Sequence, residues 1–288
     1  MPSPVVTVLL SGAVVGHVAV TVTTLNVLYG HGWIPRWALK GVRVLHDLWI
    51  LAGTPWLAWL IYRSSLLATG DWSSLRPILL AYLVCCAAIG WFVVPAVMIA
   101  RAMRRLPEAQ LSNHGRVIDM AKRLGRRPIG RGPHRLMARW PWNEQFQLEV
   151  LERTYRLPRV PAEWDGLSIL HLSDLHFTGT IGFEYFEQVI HEANALDCDL
   201  VAVTGDLIDR PSCHEWVPQL LGRLTSRLGT YAVLGNHDSW RDHDRIRRDL
   251  ANVGFRMLGG RWELLDVKGQ PLVIAGTEAP WMGRLPNL

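Results

Sequence analysis

The sequence predicts three membrane-spanning helices followed by an α/β layered domain, and three observations carry that prediction. Long apolar runs fill residues 1–100, basic side chains crowd residues 101–139, and from residue 147 short apolar strands alternate with helical patterns. With 49% hydrophobic and 19% charged residues the chain is too apolar to be disordered, and 288 residues leave room for more than one domain. The net charge of +5 is unevenly spread. Residues 1–100 hold five Lys/Arg and two Asp, residues 101–159 fourteen basic and five acidic residues, and residues 160–288 eleven basic and eighteen acidic. Blocks so different in charge belong in different surroundings.

Residues 5–29 form the first apolar run, long enough as a helix to cross about 30 Å of hydrocarbon, and no charged side chain occurs before Arg36. A secretory signal would begin with basic residues, which Met1 to Pro4 lack, so an uncleaved span is predicted. Residues 42–62 form a second run, with Arg43, His46 and Asp47 near its entry, and residues 78–100 a third without any charge. One such run could be a buried core helix, but three in succession are too apolar for one small domain. Seven of the fourteen tryptophans lie between Trp33 and Trp91, several near run ends, where indoles favour the headgroup region. Arg36, Lys40 and Arg43 mark a first loop, Arg63 and Arg76 against Asp71 a second, and Arg101, Arg104 and Arg105 follow the third run. Basic residues stay on the cytoplasmic side, which predicts an outside N-terminus and a cytoplasmic location for everything after residue 100.

Residues 101–146 read as a basic juxtamembrane linker, with eleven Lys/Arg against two acidic residues over 101–139 and Gly-Arg-Arg-Pro and Gly-Arg-Gly-Pro steps that break helices. No aromatic stacking series, zinc spacing or recognition-helix pattern accompanies the charge, so nucleic acid is not an expected partner. The lipid bilayer is, because each Lys or Arg near an anionic leaflet gains about 1 kcal/mol. The Arg-Trp-Pro-Trp run at 139–142 fits the interface or a cap on the next domain. Cys85 and Cys86 are adjacent and cannot pair without strain, and Cys198 and Cys213 lack Cys-x-x-Cys spacing, so all four are predicted reduced.

Residues 147–288 form the α/β region. Strands are predicted at 147–157, 167–172, 200–204, 231–234 and 272–275, and helices at 184–196, 216–228 and 242–252. Three strands end in polar strings: Ser173-Asp174-Leu175-His176, Gly205-Asp206-Leu207-Ile208-Asp209-Arg210 and Gly235-Asn236-His237-Asp238. In α/β sheets ligands bind at the carboxyl ends of strands, where separate loops converge. Asp, His and Asn offer oxygen and imidazole donors suited to Mn, Fe or Zn. A carboxylate such as Asp206 can bridge two cations, and a cation pair clamps phosphate and lowers the pKa of bound water. His171 reads as a satisfied core residue and His191, His214 and His243 as solvated.

The strings His-Leu-Ser-Asp-Leu-His (171–176), Val-Thr-Gly-Asp-Leu-Ile-Asp (203–209) and Leu-Gly-Asn-His-Asp (234–238) resemble the first three motifs of the calcineurin-like metallophosphoesterases, and in particular their bacterial membrane-anchored members. The resemblance implies a layered β-sandwich flanked by helices, holding two divalent ions. It implies Asp174 and His176 as ligands of one ion, Asp206 as the bridge and Asn236 as a ligand of the second. His237 is then the general acid or charge-stabilising donor, Asp209 its orienting carboxylate, and Arg210 a phosphate contact, with a plain Asp209–Arg210 surface ion pair as the competing reading. The activity implied is hydrolysis of a phosphomonoester, phosphodiester or pyrophosphate, lipid-linked given the spans, by a multi-pass protein of the bacterial cytoplasmic membrane. The family pattern continues with a lone His and a Gly-His-x-His string, neither found before Leu288, so the domain is expected to be incomplete and hydrolysis by residues 1–288 weak or absent. The alternative is an inactive membrane protein that keeps a phosphoesterase remnant as a binding module.

Overall fold

No charge interrupts residues 4–30, and in the computed structural model they form one helix, α1 (Pro4–Gly30). The structure describes residues 4–30, 36–64, 66–104, 107–283 and 285–287. Its contacts divide into two units, Met1–Leu106 and Pro107–Leu288. Within the first, α2 (Arg36–Leu48) runs through a widened turn at Trp49–Gly53 into α3 (Thr54–Arg63), and α5 (Pro77–Ala88) runs likewise through Ile89–Val93 into α6 (Val94–Ala102), with the short α4 (Leu66–Thr69) between the two. Both wide turns precede a proline, Pro55 and Pro95. Proline lacks an N–H and crowds the carbonyl four residues back, so the Thr54 and Val94 amides bond five residues back, to Trp49 and Ile89. Gly16 and Gly90 let α1 lie against α5 and its wide turn, since a Cβ on Gly16 would meet the Cys86 carbonyl oxygen at 1.8 Å and one on Gly90 that of Gly12 at 1.9 Å.

Three helical stretches, Pro4–Leu28, Gly41–Arg63 and Pro77–Ala102, are long and apolar enough to cross a membrane. Arg36, Lys40 and Arg43, expected in a loop, begin α2 instead. Trp33 and Arg105 lie outside the described residues.

The second unit starts earlier than the sequence suggests. Residues 107–146, expected as a linker, fold into it: β1 (Gln110–Asp119) pairs antiparallel with β2 (Gln147–Tyr155), and α7 (Met120–Arg123) and α8 (Arg135–Ala138) lie between them. Met120 is fully buried in the core. Arg116 (2.7 Å) and Arg123 both pair with the buried Glu192 carboxylate, so part of the basic charge serves an internal acid.

Four parallel strands follow in chain order, β3 (Ile169–Leu172), β4 (Leu200–Thr204), β5 (Gly229–Val233) and β6 (Arg256–Met257). Helix α9 (Phe183–Ala195) joins β3 to β4 and α10 (His243–Asn252) joins β5 to β6. The helix expected at 216–228 is a single wide turn at Val217–Leu221, because Pro218 and Gly222 leave no room for more. The core on the helical side holds Phe177, Val201, Val203, Leu220, Ile246 and Leu250. The opposite layer is a two-stranded hairpin, β7 (Arg261–Val267) and β8 (Gln270–Gly276). Its Leu265, Leu272 and Ile274 pack on Leu200, Tyr231 and Leu258.

Two histidines differ from expectation. Strand β3 turns Leu170 into the core and His171 outward, so His171 is exposed, with Nε2 2.7 Å from Thr204 Oγ1. His214, expected in solvent, is buried, and burial lowers its pKa.

Candidate metal centre

The loops after β3, β4 and β5 are fastened to one another by main-chain bonds. Asp174 N donates to Gly205 O at 3.1 Å, His176 N to Asp206 O at 2.9 Å and Phe177 N to Leu207 O at 2.7 Å. His237 N then donates to Asp206 Oδ1 at 2.9 Å. Asp174, His176 and Asp206 adopt left-handed backbone, with φ of 56°, 42° and 53°. For a residue with a Cβ this costs about 1–2 kcal/mol, and such strain concentrates where function demands a geometry. Gly235 is required by close approach, since a Cβ there would lie 2.1 Å from Asp206 Oδ1.

Asp238 ties these loops from within. Fully buried, its carboxylate accepts from Leu207 N (2.9 Å), Ile208 N (3.2 Å) and Gly235 N (3.0 Å). Burial raises its pKa above the ordinary carboxylate value even against those donors. Glu278, also buried, accepts from Leu234 N at 2.8 Å and pairs with Arg247, holding the third loop to the chain beyond β8.

On this frame the imidazole of His176 has two distinct sides. Its Nε2 faces two carboxylates, Asp174 Oδ1 at 3.7 Å and Asp206 Oδ2 at 4.0 Å, too far to be hydrogen bonds and close enough for one cation to touch all three. Its Nδ1 lies 3.1 Å from Asp209 Oδ2. The other oxygen, Asp209 Oδ1, is 2.5 Å from His237 Nδ1, and the two imidazole rings meet edge to face at 4.7 Å. His176, Asp209 and His237 form a second close group, but there the imidazole nitrogens already bond the carboxylate. The first set therefore fits a divalent cation: mixed carboxylate and imidazole donors, with the far nitrogen of the ligating ring on a carboxylate.

The structure thus brings together Asp174, His176, Asp206, Asp209 and His237. Asn236 lies in the same loop, its main-chain carbonyl accepting from Ser239 Oγ at 2.6 Å. Arg210 Nη1 donates to the Arg131 carbonyl at 3.3 Å beside a cavity of about 280 Å³ that Phe183 and Trp216 help line. Sequence reading missed several supporting residues. Asp238 stood within a motif string yet received no role, whereas Glu278 lies far along the chain with nothing nearby to single it out. Trp240 packs its ring 4.6 Å from that of His237, and Arg241 donates to the Asp209 carbonyl, contacts that only folding reveals.

Residues 167–279 match the family described as calcineurin-like phosphoesterase. Relatives include the metallophosphoesterase YkuE of Bacillus subtilis, 34% identical over 145 residues that make up 49% of this chain and 51% of the relative. The transmembrane protein with metallophosphoesterase domain of Bos taurus is 38% identical over 81 residues, 28% of this chain and 18% of its own. The UDP-2,3-diacylglucosamine pyrophosphatase LpxG of Chlamydia muridarum is 31% identical over 104 residues, 34% of this chain and 32% of its own. The similarity thus spans about half or less of these relatives' lengths. No solved structure matches the chain.

Proposed function

We propose that the protein, whose residues 167–279 match the calcineurin-like phosphoesterase family, is a membrane-anchored, metal-dependent phosphoesterase. The observation that carries this reading is the convergence of Asp174, Asp206 and His176 Nε2 with the Asp209–His237 pair at the carboxyl ends of β3, β4 and β5. Asp174, His176 and Asp206 would hold one divalent ion (Mn, Fe or Zn), and Asp206 with Asn236 would contribute to a second. Bound there, such ions supply charge neutralisation on a phosphate and a more acidic water.

The chain's own groups would do the rest. With both ring nitrogens of His237 protonated, Nδ1–H would donate to Asp209 Oδ1, which fixes the ring, and Nε2–H would give its proton to the leaving oxygen or hydrogen-bond the phosphate. On its other oxygen the same carboxylate orients His176, a role the sequence did not suggest. Arg210, with its contact to the Arg131 carbonyl and the nearby cavity, would meet an anionic part of a substrate. A lipid-linked pyrophosphate is the favoured substrate class, supported by the three apolar helices and by the pyrophosphatase among the relatives. The basic residues after the third helix support a cytoplasmic face of the bacterial inner membrane for the domain.

The test is hydrolysis of p-nitrophenyl phosphate, bis(p-nitrophenyl) phosphate and a lipid-linked pyrophosphate by the protein in manganese, beside Asp206→Asn, with bound metal counted at equilibrium. For residues 1–288 the expected turnover is weak or absent; any turnover seen should require metal and fall by roughly 100-fold or more in the variant, and close to two ions retained per chain mark a functional site. Turnover untouched by the substitution overturns the assignment of Asp206. No turnover with one ion or none favours the binding-module reading.

A further inference from the structure

Residues 134–142 give the second unit a surface that the phosphoesterase chemistry does not use. Ala138 and Phe146 are buried in the unit, yet Leu136, Met137, Trp140 and Trp142 are 73%, 68%, 59% and 80% exposed. The segment is held in shape. Ala138 N donates to His134 O at 3.1 Å and Trp140 N to Met137 O at 3.0 Å. Asn143 Nδ2 donates to that same Met137 carbonyl at 3.0 Å. Arg127 Nη1 reaches the carbonyls of Arg139 at 2.9 Å and Trp140 at 3.3 Å. The two indoles stand 5.9 Å apart. Four large apolar side chains fixed toward water gain no packing there, which marks an interaction site.

The charge around them indicates the partner. Residues 120–143 contain seven Lys/Arg and no acidic residue, and Arg135 and Arg139, next to the apolar side chains, are exposed. Indoles favour the headgroup layer and guanidinium groups favour lipid phosphates. The same chain has three helices fit to cross a bilayer, the last ending at Ala102. We infer that Leu136, Met137, Trp140 and Trp142 insert into the headgroup layer of an anionic bilayer while Arg135 and Arg139 hold its phosphates, a second membrane contact besides the helices. The inference rests on the apolar helices and not on the phosphoesterase reading.

The experiment reconstitutes the full chain in vesicles of phosphatidylcholine with or without phosphatidylglycerol, with plain or brominated acyl chains. The emission of the Trp140→Ala/Trp142→Ala double variant is subtracted from that of the unsubstituted protein. Flotation with the vesicles reads the helices, and the difference emission reads the patch. In anionic vesicles bromination is expected to cut the difference emission to about half or less, and Arg135→Glu with Arg139→Glu to abolish that quenching. These side chains are exposed, so the variants should keep the far-ultraviolet circular dichroism of the parent. Difference emission that stays water-like and unquenched in floated protein overturns the proposal, as does shielding that appears only as protein concentration rises, which would mean a second copy covers the patch.

Discussion

At Asp209 one carboxylate serves two imidazoles, with Oδ2 on His176 and Oδ1 on His237. If His176 is a metal ligand through Nε2, Asp209→Asn should weaken manganese binding by about 10–100-fold while leaving the fold in place. Calorimetric titration of the variant reads this directly, and unchanged affinity would remove Asp209 from the support of the centre. Asp238 makes a contrasting case, because its carboxylate accepts from three main-chain amides. Asp238→Ala leaves the amides of Leu207, Ile208 and Gly235 without their buried acceptor and should cost about 3 kcal/mol or more of stability, seen as a lower denaturant midpoint. A loss well under 1 kcal/mol would show that water replaces the carboxylate. Both residues stood in motif strings, so their presence near a site was legible. The Asp209–His237 pair was implied by the resemblance, but His176 as a second partner of Asp209, and Leu207 and Ile208 as partners of Asp238, were not, because those bonds join chain positions about thirty residues apart that only the parallel sheet brings together.

At the scale of elements, the sequence displayed best what periodicity and punctuation control. β4 runs over Leu200–Thr204 as expected, and α9 and α10 fall within a residue or so of their predicted bounds, since alternation and amphipathic spacing reflect burial on one face. β2 was legible within the strand predicted at 147–157, but its partner β1 was hidden because the basic residues around it read as a solvated linker. Arg116 and Arg123 instead face Glu192, which burial alone would push toward neutrality but which their hydrogen bonds and charges hold below its ordinary pKa of about 4.5. A carboxylate with a depressed folded-state pKa binds fewer protons folded than unfolded. Its contribution is therefore complete above about 4.5 and fades as pH falls through the lower folded value. Glu192→Gln should lower stability at neutral pH and flatten the loss of stability on acidification. Melting curves from pH 3 to 7 that keep the parent's slope would show the ion pair to be indifferent to the docking of this hairpin.

Across the whole molecule, charge and hydropathy had already divided the chain, and each unit has a core of its own, one around Leu66, Leu83 and Cys86 and the other around Phe177, Val201 and Leu220. The acidic block, eighteen acidic against eleven basic residues over 160–288, holds a carboxylate oxygen of Asp174 and one of Asp206 within 4.8 Å of each other, beside the His176 imidazole. Two carboxylates so close repel, and a divalent ion would convert that repulsion into a bond between the loops after β3 and β4. A ligand that binds only the folded state adds RT ln(1 + [L]/Kd), about 2.7 kcal/mol at a hundred times Kd. For a unit of this size that raises the melting temperature by roughly 5–10 °C. Scanning calorimetry of the full chain in detergent, with manganese and then with chelator, should therefore move the transition of residues 107–288 and leave that of the apolar helices where it was. Asp206→Asn should lose most of the shift. A transition indifferent to manganese, or an equal shift in the variant, would mean that these carboxylates hold no ion, and that the left-handed backbone at Asp174, His176 and Asp206 needs another explanation.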